Sequence, residues 1–181
     1  MNEYPWYEIV KKNDPIKQGD LVNSCPTINP VSDSDIGEGK KLSADVDEYD
    51  VVVMSQSCDL EHEKIDLVLV CPFITLTDFG ELNSFYKSEK AKEAIRRGYF
   101  PGYHLLNKCE IEGHEKDYLI VDFRNVHGVP IDLLKNVIGG IEERIRLLPP
   151  YREHLSQAFA RFFMRVGLPS DIPEFTNKVW R

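Results

Sequence analysis

The sequence predicts an α+β fold: a strongly bent antiparallel sheet or small β-barrel, completed by an amphipathic helix near the C-terminus. Three observations carry this. Runs rich in β-branched residues fill the middle of the chain. The segments between them look shorter than the dozen or so residues a parallel crossover needs. One late stretch, Pro150 to Gly167, has apolar residues at helical spacing.

The elements follow in order. The aromatic opening, Tyr4 to Lys12, is expected to pack as a short helix or turn. Gln18-Gly19-Asp20 makes a turn, and Leu21-Val22 begin a strand. From about residue 26 to residue 48 prolines, glycines and acids erase the hydrophobic pattern, so a mobile acidic loop is expected there. Val51-Val52-Val53 is apolar on both faces and reads as a central strand. Its partner is Lys64 to Phe73, reached through the "SCDLEHE" turn of residues 57–63. Ser88 to Phe100 reads as a short helix, with Ala91, Ala94 and Ile95 on one side and Gly98 as its stop. Gly102 to Cys109 and Lys116 to Phe123 are two strands joined by a hairpin-like turn around Gly113. Arg124 to Val137 bends at Gly128-Val129-Pro130 and then makes one or two helical turns. Ile141 to Leu148 is a final strand. In the last helix, about residues 150–167, Leu155, Ala158, Phe159, Phe162, Phe163 and Val166 share one face. The 181 residues suit a single domain, and no internal repeat is visible.

Composition narrows the function classes. The net charge of -8 argues against a general polyanion binder. The charge is unevenly spread, however. Residues 1–90 hold 8 Lys against 18 acids, whereas residues 91–181 hold 14 Lys and Arg against 12 acids. All nine arginines follow residue 90. A local anion-binding face is therefore expected in the second half, with Arg96, Arg97, Arg144, Arg146, Arg161 and Arg165 as candidates for nucleic acid. No apolar run approaches the ~20 residues that span a bilayer, and the opening lacks the build of a signal peptide. A cytoplasmic protein that does not enter a membrane is expected. In that compartment Cys25, Cys58, Cys71 and Cys109 are thiols or metal ligands rather than a disulfide framework.

Cys58 and His62, four residues apart after a buried strand, raise three readings. A structural turn rich in small polar residues comes first. A binding site where loops gather comes second. A metal or covalent site comes third. Zinc, the alternative to no cofactor, would draw its tetrahedron from Cys58, His62, Cys25, Cys109 and His114. A nucleophilic Cys58 would need His62 as base and Asp59 or Asp66 as the orienting carboxylate.

Two resemblances bear on fold and function. "QGDLVNSCP" (18–26), "VVVMSQSCDLE" (51–61), "YLIVDFRNVHGVP" (118–130) and "RLLPPYREHLSQAFARFFMRVGLP" (146–169) together resemble a family of small, uncharacterised prokaryotic proteins. That resemblance covers most of the chain and implies no activity. Gly19-Asp20-Leu21-Val22 and Val51-Val52-Val53-Met54-Ser55 resemble the PemK/MazF group, whose members are small SH3-like barrels that cleave RNA. This second resemblance implies an SH3-like β-barrel and a toxin–antitoxin or phage-defence setting. That group carries an arginine in its first loop, whereas this chain has none before Arg96. The expected function is a binding module that contacts nucleic acid or a protein partner. The alternative is an enzyme, either an RNA-cleaving PemK/MazF relative or a Cys-dependent hydrolase.

Overall fold

The computed structural model describes residues 4–30 and 44–164. The chain runs β1 (Tyr7–Lys11), β2 (Leu21–Pro30), β3 (Ala44–Val53), α1 (Ser57–Glu61), β4 (Leu67–Thr75) and α2 (Leu76–Leu82). A 3₁₀ turn (Ser84–Lys87) leads to α3 (Glu89–Arg96), β5 (Tyr103–Leu106), β6 (Leu119–Asp122) and β7 (His127–Pro130). Helix α4 (Ile131–Gly139), β8 (Glu143–Leu147) and α5 (Tyr151–Phe163) complete it. Every strand pairing is antiparallel. Among the described residues no helix is long and apolar enough to cross a membrane.

Strand β4 is the axis. One edge pairs with β3, Val52 opposite Cys71. Along its other edge, β7 pairs with the first half and β6 with the second. Strand β5 extends the sheet beyond β6, and β2 extends it beyond β3. Strands β1 and β8 form a separate ribbon that touches β2 through the Asp20–Arg146 bridge. The sheet is bent but not closed into a barrel among the described residues, which corrects the barrel expectation. A bulge between Val22 and Cys25 contributes to the bend. There Ser24 adopts φ 48°, and its amide donates to Asp50 Oδ1 at 3.0 Å.

Alternation along β3 and β4 sends side chains to two large cores, and Ile74 near the end of β4 packs against a third around Phe79, Ile95 and Ile120. Val52 and Cys71 join Leu21, Phe73, Phe123, Leu147 and Leu155 on one face, beneath α5. Val51, Val53 and Val70 join Val22, Leu60, Leu134 and Ile138 on the other, beneath α1 and α4. Being apolar on both faces is thus what makes β3 central.

Two expectations change. The opening is not a helix or turn: Tyr7–Lys11 is a strand on β8, with Tyr7 and Val10 buried. The ends of the expected loop at 26–48 are also strand, with Pro26 opposite Glu48 and Pro30 opposite Ala44. An edge strand such as β2 tolerates prolines, because the missing N–H need not face a neighbour. Backbone pairing, reinforced by Asn29 Nδ2 on Asp47 Oδ2 at 2.5 Å, replaces the absent hydrophobic pattern. Residues 31–43 of that loop lie outside the described residues.

Candidate functional site

Three of the arginines selected from sequence meet at one recess. Helix α3 begins at Ser88, whose hydroxyl accepts from the Ala91 amide at 3.2 Å, and buries Ala91 and Ile95. Gly98, at φ 73°, turns the chain out of the helix. That stop leaves Arg96 and Arg97 adjacent at the helix end. Helix α5 brings a second set. Leu155, Phe159 and Phe162 face the core. His154, Gln157, Ala158 and Arg161 recur at steps of three and four along another face, which lines the recess. His104 on β5 joins them, and the cavity measures ≈ 420 Å³.

The charges there are only partly neutralised. Arg96 grips Glu93 with two bonds, Nε at 2.6 Å and Nη2 at 2.7 Å, and Arg97 Nε reaches the same carboxylate at 2.6 Å. These bonds, Arg96 first and Arg97 next, hold the Glu93 carboxyl down at about 2. One carboxylate thus serves two guanidiniums. Arg161 donates Nε to the Gln157 carbonyl at 3.3 Å, and among the described residues it is in no salt bridge. Half-buried His104 stacks on Phe123 with centroids 6.0 Å apart. Burial, then the neighbouring His154 and Arg161, push its imidazole down to about 4. His104 is therefore neutral near pH 7, and the recess keeps a net positive charge from its arginines.

Arg144 and Arg146 are not part of any phosphate-binding face. Both are buried, at 3% and 5% exposure, around a fully buried Asp20. Arg144 Nε donates to Asp20 Oδ2 at 2.9 Å, and Arg146 donates to both Asp20 oxygens. Both Arg144 Nη groups and Arg146 Nη2 reach the Lys11, Asp14 and Pro15 carbonyls, and Arg146 Nη1 lies 3.9 Å from Glu8 Oε1. Gly19 beside them sits at φ 87°, where an added Cβ would lie 3.1 Å from the Leu147 carbonyl. The Gln18-Gly19-Asp20 motif is therefore a structural clamp. Gln18 extends it to the segment 54–57, its amide donating to Ser57 Oγ at 3.1 Å and its side chain to the Met54 carbonyl at 2.6 Å. Arg165 lies outside the described residues.

Cys58 is exposed, in the short helix α1 that stands where a turn after the buried end of β3 was expected. Its Sγ lies 3.7 Å from both Gln56 Oε1 and Asp59 Oδ1. His62 caps α1 with its amide on the Cys58 carbonyl at 3.3 Å, but among the described residues no hydrogen bond joins the Cys58 thiol to the His62 ring. The alternative zinc ligands do not converge. Cys25 and Cys109 belong to separate cores, and His114 contacts Glu143 at 3.3 Å. No group of three or more candidate metal ligands occurs among the described residues.

A larger cleft of ≈ 850 Å³ lies on the other side of Tyr103, lined by aromatic rings and acids. Several of its carboxylates are engaged in holding the fold. Asp122 binds Arg124 through two 2.9 Å contacts, and Arg124 lies over the Tyr103 ring at 4.3 Å. Asp78 accepts from Thr75 at 2.6 Å, Asp117 from Thr77 at 2.9 Å, and Asp50 from Ser24.

His154 and His104 were not selected from sequence for the recess. The step from His154 through Gln157 to Arg161 was a usable signal; the approach of β5 was not. No protein-family model matches the chain, and no curated protein matches it.

Proposed function

We propose that the protein is a cytoplasmic binding module that holds single-stranded nucleic acid through the recess between α3, β5 and α5. The observation that carries this reading is the convergence of Arg96, Arg97 and Arg161, with His104 and His154, on one cavity. Guanidinium forks suit phosphate oxygens, and a recess walled by packed elements holds them in place. The bent antiparallel sheet is compatible with an opened relative of the SH3-like barrels. The resemblance to the PemK/MazF group makes RNA the first ligand to test, in a toxin–antitoxin or phage-defence setting. The hydrolase alternative has less support, because among the described residues exposed Cys58 reaches Asp59 Oδ1 and Gln56 Oε1 at 3.7 Å but bonds to no histidine side chain that could serve as its base.

Fluorescence titration with a short single-stranded RNA at low salt tests the proposal. Binding should weaken with salt, and Arg161→Ala should make the log–log salt slope shallower by about 0.7, one single-strand phosphate contact. Wild-type protein that binds neither RNA nor DNA at low salt removes the reading.

A further inference from the structure

Resting on that reading, we infer that the recess receives the terminal phosphate monoester of a nucleotide strand, rather than internal backbone. Its size is the first argument. A cavity of ≈ 420 Å³ falls low in the range of small-molecule sites, roughly 300–1,000 Å³, and suits one nucleotide end better than a run of backbone. It is walled on three sides by the end of α3, by β5 and by α5. An internal phosphate would need the chain to enter and leave through the same recess.

Charge is the second argument. Three guanidiniums line the cavity, and Glu93 neutralises one charge of the Arg96-Arg97 pair. Arg161 has no carboxylate partner among the described residues. About two positive charges remain. A phosphate monoester carries about -1.5 to -2 at pH 7 and three terminal oxygens; an internal diester carries a single charge and two such oxygens. The monoester therefore matches both the charge and the number of free donors better. Arg96 and Arg97 approach from the end of α3, and Arg161 from the last turn of α5, so different oxygens of one group can be met from two sides.

Fluorescence anisotropy with matched short RNAs bearing either a 5′-phosphate or a 5′-hydroxyl tests this. A nucleoside monophosphate and inorganic phosphate serve as competitors. The 5′-phosphorylated strand should bind at least tenfold tighter. Arg161→Ala and Arg97→Ala should each remove most of that difference while retaining the wild-type melting curve. Arg161→Lys should keep part of it, because charge remains and the fork is lost. Competition by the monophosphate well above that by inorganic phosphate supports a nucleotide end; equal competition by both overturns the nucleotide assignment. Equal affinity for the two RNAs overturns the inference and leaves the proposed function standing. No binding of either RNA removes both. A phosphoserine peptide that binds more tightly than the phosphorylated RNA also overturns it, in favour of a protein partner.

Discussion

Arg144 and Arg146 on one side, and Arg96, Arg97 and Arg161 on the other, have the same chemistry and lie in the same half of the chain. The first pair is buried against one buried carboxylate and three backbone carbonyls. The second set rims an open recess, with one exposed carboxylate among its three members. The difference teaches that an arginine's role follows from its surroundings. A buried guanidinium must have its charge and donors satisfied within the protein, so none remain for a ligand. An exposed one loses little when left partly unpaired in water, and so can keep donors for a partner.

The largest effect should come from breaking the buried cluster. Asp20→Ala strands two buried guanidiniums, and its cost should reach about 3–5 kcal/mol in a urea melt. A loss below about 1 kcal/mol would mean that Arg144 and Arg146 reach solvent, and the contrast would collapse.

A smaller effect sharpens the electrostatics of the recess. His104 titrates at about 4 when folded, depressed first by burial and then by His154 and Arg161. Unfolded, it titrates near 6.5. Between those values the unfolded chain binds more protons, so stability falls as pH drops from about 6.5 to 4 and then levels off for this group. At about 1.4 kcal/mol per pH unit, the displacement bounds the effect at about 3 kcal/mol. His127, lowered mainly by burial, acts in the same direction. Glu93, held at about 2, acts only at lower pH, as its carboxylate protonates. His104→Asn should flatten the pH 4–6.5 limb of a melting series relative to wild type. By NMR, Arg161→Ala should raise the His104 titration point, because it removes one of the neighbouring positive charges; an unmoved titration would place Arg161 away from His104.

The smallest effect is the most diagnostic. Arg161→Ala should change stability by less than about 0.5 kcal/mol while weakening RNA binding. A large stability loss would put Arg161 in the same class as Arg144 and Arg146.

Much of the frame was readable locally. Val51-Val52-Val53, the Ser88-to-Gly98 helix and the apolar spacing of α5 each carry their signal within a dozen residues. Helix α2, Leu76–Leu82, was missed, although Thr75 accepts from the Asp78 amide at its start. Strand β1 was misread because its stability comes from β8, more than 130 residues away.

By itself, the sequence determined the α+β class, the central place of β3 and the bias of arginine toward the second half. Periodicity and composition are local properties, and they survive without knowledge of the neighbours. Only the tertiary structure decided which arginines are structural. The alternation Arg144-Ile145-Arg146 puts both guanidiniums on one face of β8. Nothing within that strand says that Asp20, more than 120 residues earlier, waits buried beneath that face. The recess has the same origin: Arg96 and Arg97 meet Arg161 because α3 and α5 lie on either side of β5, and sheet packing, not spacing along the chain, brings those charges to one cavity.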